Sequence, residues 1–172
     1  MLNRIKSIDD KILLNMKKLH RKKRNKVMIV ITKLGNNGMI WFAVAIPFLL
    51  NKEYRNVGIK MILALLLSGF MGEILIKHIV ARVRPSKFLL QEEMLIKEPI
   101  TYSFPSGHTS SSFAASCILA SYFGPLSIPA FIFSVLMGFS RLYLRVHYPT
   151  DVLAGAVLGS ICSLIINVFI TL

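Results

Sequence analysis

Three short stretches of the chain carry side chains whose types and spacing suit the handling of a phosphate group. Lys77 and Arg84 stand seven residues apart, close to two helical turns, so the spacing puts both on one face at the end of an apolar run that Pro85 closes. Cations beside an apolar run are costly there and are candidates for function, with snorkelling to lipid headgroups as the alternative. Pro105-Ser106-Gly107-His108 opens the next apolar run. Free backbone N–H groups at a helix start, a glycine permitting close approach and a serine hydroxyl together form an anion site. The adjacent histidine is placed to give a proton to a leaving oxygen. The plain alternative is a helix start with Ser106 as its cap.

The third stretch holds Ser140-Arg141, followed by His147 and Asp151 with Pro149 between them. An imidazole whose second nitrogen is held by a carboxylate is oriented and made more basic, as a nucleophile or base requires. The Arg141 guanidinium offers a planar fork for phosphate oxygens. Taken singly, Asp151 reads as a favourable charge at the start of the last helix.

These residues need elements to hold them, and the composition says which. The chain has 172 residues, 54% of them hydrophobic, yet a formal net charge of +13. The first 26 residues carry ten Lys/Arg and two Asp, so most of that charge is local. Ile5, Ile8, Ile12, Met16 and Leu19 recur there at steps of three or four, predicting a helix with one apolar and one cationic face, suited to the surface of an anionic membrane. Lysines interrupt the apolar residues, so a secretory signal is a poor fit. Nucleic-acid binding is the competing reading of so basic a chain, and the apolar runs downstream argue against such a partner.

Those runs cover 27–50, 57–80, 107–123, 126–144 and 152–172, each to be weighed against the roughly 20 residues a helix needs to cross a bilayer. They predict an all-α, polytopic membrane bundle of about five transmembrane helices, preceded by the amphipathic interfacial helix. The domain reading is a basic interfacial segment over 1–26 and a transmembrane domain over 27–172. Lys33 and the Gly35-Asn36-Asn37-Gly38 break divide the first run into a short interfacial piece and a span beginning near Met39. Gly155, Gly159 and the small residues Ser110–Ser112 and Ala114–Ser116 suit close helix packing. The connection over 85–104 is long for a helix–helix loop. Two spans separate it from the polar break over 141–151, so both open on one side of the membrane.

In order and internal spacing, Lys77-x6-Arg84-Pro85, Pro105-Ser106-Gly107-His108 and Ser140-Arg141-x5-His147-x3-Asp151 resemble the three-part signature of the type 2 phosphatidic acid phosphatase superfamily. The resemblance covers the last four spans and does not extend clearly to residues 1–34. It implies that His147 attacks phosphorus and becomes a phosphohistidine, that Asp151 orients it, and that His108 protonates the departing oxygen and then activates water. It implies phosphate-binding roles for Lys77, Arg84, Ser106, Gly107 and Arg141. Three fixed cations can replace a metal, and no ligand set stands out beyond the two histidines, so no metal or other cofactor is expected.

The implied activity is hydrolysis of a lipid phosphate or diphosphate monoester, of the undecaprenyl diphosphate, phosphatidate or phosphatidylglycerophosphate type. Membrane lipids are the expected partners. The competing readings are a lipid phosphotransferase using the same site and a non-catalytic lipid-binding protein. Five apolar spans argue against the soluble vanadate haloperoxidases that share the signature.

Glu73, one turn before Lys77 on the same face, is placed either to pair with it and aim the ammonium or to make a helix-to-helix contact with no catalytic part. Arg145 is expected to snorkel or to reach a second phosphate, and His20 and His78 read as interfacial bystanders. Phe88, Leu89, Leu90, Met94, Leu95 and Ile96 make the long loop apolar enough to lie on the membrane and guide a lipid tail. The Lys/Arg bias puts the active-site side in the cytoplasm. The resemblance implies six spans and an outward site, whereas this chain shows one span fewer; the outward arrangement is the expectation carried forward.

Overall fold

The computed structural model describes residues 2–171, with side chains from residue 6 onward, so the side chains of Arg4 and Ile5 in the amphipathic pattern lie outside the described residues. Every regular element among the described residues is helical. Helices α1 (Leu2–Lys18) and α2 (Lys22–Leu34) come first. Then follow α3 (Met39–Leu50) and α4 (Arg55–Gly69), the latter running through a π-helical stretch, Phe70–Ile76, into α5 (Lys77–Val80). After the long loop come α6 (Gly107–Phe123), α7 (Ile128–Tyr143) and α8 (Pro149–Phe169).

The breaks follow from residues that favour turns. Asn37 and Gly38 adopt left-handed backbone angles, with φ of 51° and 70°, and α2 meets α3 there at a 51° bend. Gly124 ends α6 at positive φ, and prolines stand in the first turns of α7 and α8, where a missing N–H costs nothing. Among the described residues three runs are long and apolar enough to cross a membrane: Arg55–Val80, Gly107–Tyr143 and Pro149–Phe169, with the bent pair Lys22–Leu34 and Asn36–Leu50 as a fourth. Gly107–Tyr143 holds two helices, α6 and α7, folded back on each other at Gly124–Ser127.

α6 is the central helix and packs on α8, α4 and α7. Its contact with α8 is close because glycines face it: a Cβ on Gly159 would sit 2.1 Å from the Ser110 carbonyl oxygen, and one on Gly155 2.5 Å from that of Ser106. Between apolar helices, hydroxyls supply much of the specificity. Ser68 and Ser110 are 2.6 Å apart, Ser116 and Ser134 2.7 Å, and the Trp41 indole N–H donates to Ser112 at 2.9 Å. Outward-facing Leu50, Leu66, Ile79, Leu126, Ile132, Leu153 and Phe169 are exposed, as a lipid-facing surface requires.

One expectation about the backbone is corrected. Lys77 and Arg84 do not share a helix face, because α5 ends at Val80, Ala81 takes φ 46°, and the chain over 81–84 leaves the helix. Arg84 precedes Pro85, whose ring disfavours helical geometry in the residue before it, and accordingly takes φ −71°, ψ 148°.

The N-terminal helices also do more than lie apart. α1 packs on α7 and α8, burying Asp9 and Leu13 and half-burying Ile12 and Met16, while Ile8 and Leu14 stay exposed. His20, expected as a bystander, has its Nε2 2.8 Å from the Tyr143 carbonyl oxygen, and the Tyr143 hydroxyl donates to Asn25 at 2.6 Å. His78 is exposed, its Nδ1 2.9 Å from the Ile74 carbonyl oxygen.

Candidate active site

One end of the bundle encloses a cavity of ≈ 1160 Å³. Into it face Lys77 from α5, Arg84 from the start of the long loop, Gly107 and His108 from the first turn of α6, Arg141 from the last turn of α7, and His147 from the α7–α8 turn. The three cations are 3%, 5% and 3% exposed, too buried to be snorkelling residues.

Each cation is aimed by specific partners. Lys77 Nζ donates to Glu73 Oε2 at 2.6 Å and to Thr101 Oγ1 at 3.2 Å. Arg84 donates from Nε to the Thr101 carbonyl at 2.6 Å, from one terminal nitrogen to Thr101 Oγ1 at 3.1 Å, and from the other to the Val146 carbonyl at 2.9 Å. Arg141 donates to Thr32 Oγ1, and its Nε is buried with no partner in the described chain. Glu73 reaches past Lys77 to the start of α6, where a Cβ on Gly107 would lie 2.2 Å from Glu73 Oε1. The glycine therefore keeps the α6 N-terminus open to an anionic group, which that end of a helix favours.

His147 has two distinct faces. Its Nε2 lies 3.0 Å from the Arg84 guanidinium, on the cavity side, while Nδ1 lies 3.6 Å from Asp151 Oδ2. Burial, followed by the charges of Arg141, Arg84 and Lys77, holds the His147 pKa well below its ordinary value, so the imidazole is neutral. A neutral imidazole keeps the lone pair that a nucleophile needs. Across the cavity, His108 Nε2 is 3.1 Å from Asn36 Oδ1 and 3.2 Å from the Thr32 carbonyl oxygen.

Ser106, expected to bind phosphate, stands behind the cavity, as does Asp151, expected to orient His147. Ser106 is fully buried, with its hydroxyl accepting from Thr109 at 3.0 Å and its N–H donating to the Asp151 carbonyl at 3.0 Å; it does not line the cavity. Asp151 is likewise fully buried. It accepts from Ser103 Oγ, from the Tyr148 N–H at 2.8 Å and from Arg82 at 2.6 Å, so it caps α8 and backs His147 at once. Arg145 lies outside the cavity and reaches Glu93 of the long loop at 3.4 Å, in place of either a headgroup or a second phosphate.

Motif and spacing single out none of Thr32, Asn36, Thr101, Ser103, Asp9 or Arg82 for the site. Arg82 is the one with a signal, as a third cation in the Lys77–Arg84 stretch, although its charge in the sequence speaks only to membrane orientation. Burial opposes that charge, but hydrogen bonds and attraction from Asp9 and Asp151 outweigh burial and raise the Arg82 pKa.

The PAP2 superfamily model matches residues 57–171. An undecaprenyl-diphosphatase of Sulfolobus acidocaldarius is 34% identical over 140 residues, 79% of this chain and 66% of that protein, just short of two thirds of its length. Phosphatidylglycerophosphatase B of Bacillus subtilis is 30% identical over 181 residues, covering 97% of this chain and 85% of its own. Among solved structures, Aquifex aeolicus LpxE superposes with a TM-score of 0.81 at 25% identity, over 93% of this chain and 94% of that one.

Proposed function

The chain belongs to the PAP2 superfamily, and on that premise we propose that it is an integral-membrane lipid phosphatase hydrolysing a phosphate or diphosphate monoester of a lipid through a phosphohistidine on His147. The observation that carries this reading is a single cavity holding two histidines, three buried cations and an open helix N-terminus. Phosphoryl transfer depends chiefly on positioning and on neutralising charge, which is what such a set supplies.

In this mechanism Lys77, Arg84, Arg141 and the backbone at Gly107 hold the non-bridging oxygens, with Ser106 bracing the start of α6 from behind. His147 Nε2 attacks in line, forming an N–P bond as the bond from phosphorus to the lipid oxygen, or to the bridging oxygen of a diphosphate, breaks. His108 protonates that oxygen as it leaves. It then takes a proton from water, whose oxygen attacks phosphorus, releasing inorganic phosphate and restoring His147. Asp151 orients the imidazole throughout. The three cations do the work a divalent metal does in other phosphatases, so the proposed reaction needs no cofactor.

The substrate class is a lipid phosphate of the undecaprenyl diphosphate, phosphatidate or phosphatidylglycerophosphate type. Phe42 of α3, Leu65 and Leu66 of α4, Phe70, and Ile96 and Ile100 of the long loop line the cavity beside the charged end, which supports a path for an acyl or prenyl chain. The membrane arrangement proposed is five passes through the cell membrane, made by the bent α2–α3 pair, the α4–α5 run, α6, α7 and α8. Residues 1–26 form the interfacial segment and 27–172 the transmembrane domain. The exposed Ile8 and Leu14 on α1, amid lysines, support contact with anionic lipid.

The test is phosphate release by detergent-purified protein from a panel of these lipid phosphates, with and without chelator. Release from at least one, unaffected by chelation and abolished in His147→Ala, is the expected result. Loss of activity on chelation would remove the metal-free mechanism, and full activity in His147→Ala would remove the nucleophile.

A further inference from the structure

Asp9 is an acid in a strongly basic helix, and it is 1% exposed. Burying a carboxylate is costly unless it is paired and fully hydrogen-bonded, so its partners say what holds it there. Asp9 Oδ2 accepts from the Arg82 guanidinium at 2.7 Å and from Thr150 Oγ1 at 2.6 Å, and Oδ1 accepts from the Thr150 N–H at 3.2 Å. The other terminal nitrogen of Arg82 donates to Asp151 Oδ1 at 2.6 Å and to Thr150 Oγ1 at 2.7 Å. The guanidinium lies 3.9 Å from the centre of the Tyr148 ring, which fixes its plane. A continuous line of contacts thus runs from α1 through Arg82 to Asp151 and on to His147.

We propose that Asp9 is a positioning residue for the phosphoryl-transfer step: it shares Arg82 with Asp151, and so sets where the Asp151 carboxylate stands beneath His147. The proposal rests on His147 being the nucleophile. Arg82 sits between two carboxylates and is held at a fixed distance from each. Without Asp9, its whole charge falls to Asp151. The carboxylate is then drawn toward Arg82 and away from the imidazole, from which Oδ2 already stands at 3.6 Å. Because Asp9 belongs to α1, the seating of the N-terminal helix on the bundle becomes part of catalytic geometry. A simple latch between α1 and α8 would affect stability and leave the rate of folded enzyme alone.

The experiment compares kcat and KM of full-length, purified Asp9→Ala, Asp9→Glu and Arg82→Ala proteins, using one lipid phosphate that the wild type hydrolyses. A misplacement of about 1 Å can cost about a hundredfold in rate, and for the smaller shift in Asp9→Ala about a tenfold fall in kcat, with KM within about twofold, is expected. Asp9→Glu should recover part of the loss. Adding Asp9→Ala to Arg82→Ala should lower kcat no further, since both act through Asp151. Wild-type kcat in folded Asp9→Ala, or losses that multiply in the double variant, would overturn the proposal. If Asp9→Ala does not fold, the isosteric Asp9→Asn takes its place with the same criteria. His147→Ala is run alongside. If it is inactive while Asp9→Ala is fully active, only the positioning role fails; if it is active, the catalytic reading itself fails.

Discussion

Glu73 Oε2 lies 2.6 Å from the Lys77 ammonium, and the same carboxylate touches the space in front of Gly107 where an α6 Cβ would be. The pair spans i to i+4 across the end of the π-helical stretch, with Lys77 buried and Glu73 partly exposed. Glu73 aims the ammonium into the cavity and stands beside the anion-favouring end of α6. Glu73→Gln keeps the volume and loses the charge. It is expected to lower kcat/KM for a lipid phosphate by about tenfold, as loss of a partly buried charge-assisted hydrogen bond at a reacting site does. Steady-state kinetics check this, and wild-type kcat/KM would show that the pair is only a helix contact.

Gly159 and Gly69 offer a paired test of the packing. A Cβ at Gly159 would meet Ser110 O at 2.1 Å and Ala114 N at 2.8 Å, both backbone atoms that cannot turn aside, whereas a Cβ at Gly69 meets nothing within 4 Å. Gly159→Ala should destabilise by about 1–3 kcal/mol, with α8 pushed off α6. Gly69→Ala should be neutral or slightly stabilising, because alanine favours helix. Thermal unfolding in detergent separates the two, and equal stability of both variants would contradict the close α6–α8 approach.

His147 should remain neutral in mildly acidic solution. Burial and the cations Arg141, Arg84 and Lys77 depress its pKa from 6.5 in the folded chain. Between that depressed value and 6.5 the unfolded chain binds a proton that the folded one does not, so this group makes stability rise with pH through that window and contributes nothing above it. Nitrogen-15 imidazole spectra of the unliganded protein at about pH 5 should show His147 uncharged. Arg84→Gln, which removes one of the repelling cations, should raise its pKa. Titration of wild-type His147 near 6.5 would contradict the buried, cation-lined setting.

The side of the membrane can be read by labelling. α1 sits at the site end of the bundle, and the turn after α3 lies at the far end of a bent α2–α3 pair. In a background without Cys117 and Cys162, an impermeant maleimide applied to intact cells should label Ser7→Cys and spare Glu53→Cys, as an outward site requires. The reverse pattern would put the site in the cytoplasm, where the Lys/Arg bias favours it. Labelling of both would contradict five passes.

Much of the site is legible in the sequence because its residues come in short blocks. Lys77 with Arg84, Gly107 with His108, and Arg141 with His147 lie within a few residues of each other, and the apolar runs between them fix which ends of helices they occupy. Thr101 and Thr32 are not legible. Each makes its contact across a large sequence separation, and a threonine in a loop or an amphipathic stretch has no periodicity to mark it. The end of the Lys77 helix is hidden for another reason: Ile79, Val80 and Ala81 continue the apolar run, and an alanine gives no sign in the sequence of the left-handed backbone that stops the helix. Asp9 and Asp10 read alike as acids in a basic segment, and only tertiary packing separates them, burying Asp9 and leaving Asp10 exposed.

The length of α3 bears on the lipid around it. Its 12 residues rise about 18 Å, against the roughly 30 Å of a bilayer's hydrocarbon core, and the chain turns by 51° at its N-terminal end. Beside α3 itself the wall is shorter than the bilayer core, and α2, beyond the bend, carries the rest of the proposed pass. Such hydrophobic mismatch is relieved by local thinning of the bilayer or by tilting of the helix pair. Thinning lowers the headgroup plane beside Phe42, at the α3 edge of the cavity. A lipid phosphate would then arrive close to the depth of the cations, with less of its chain to be drawn out of the membrane.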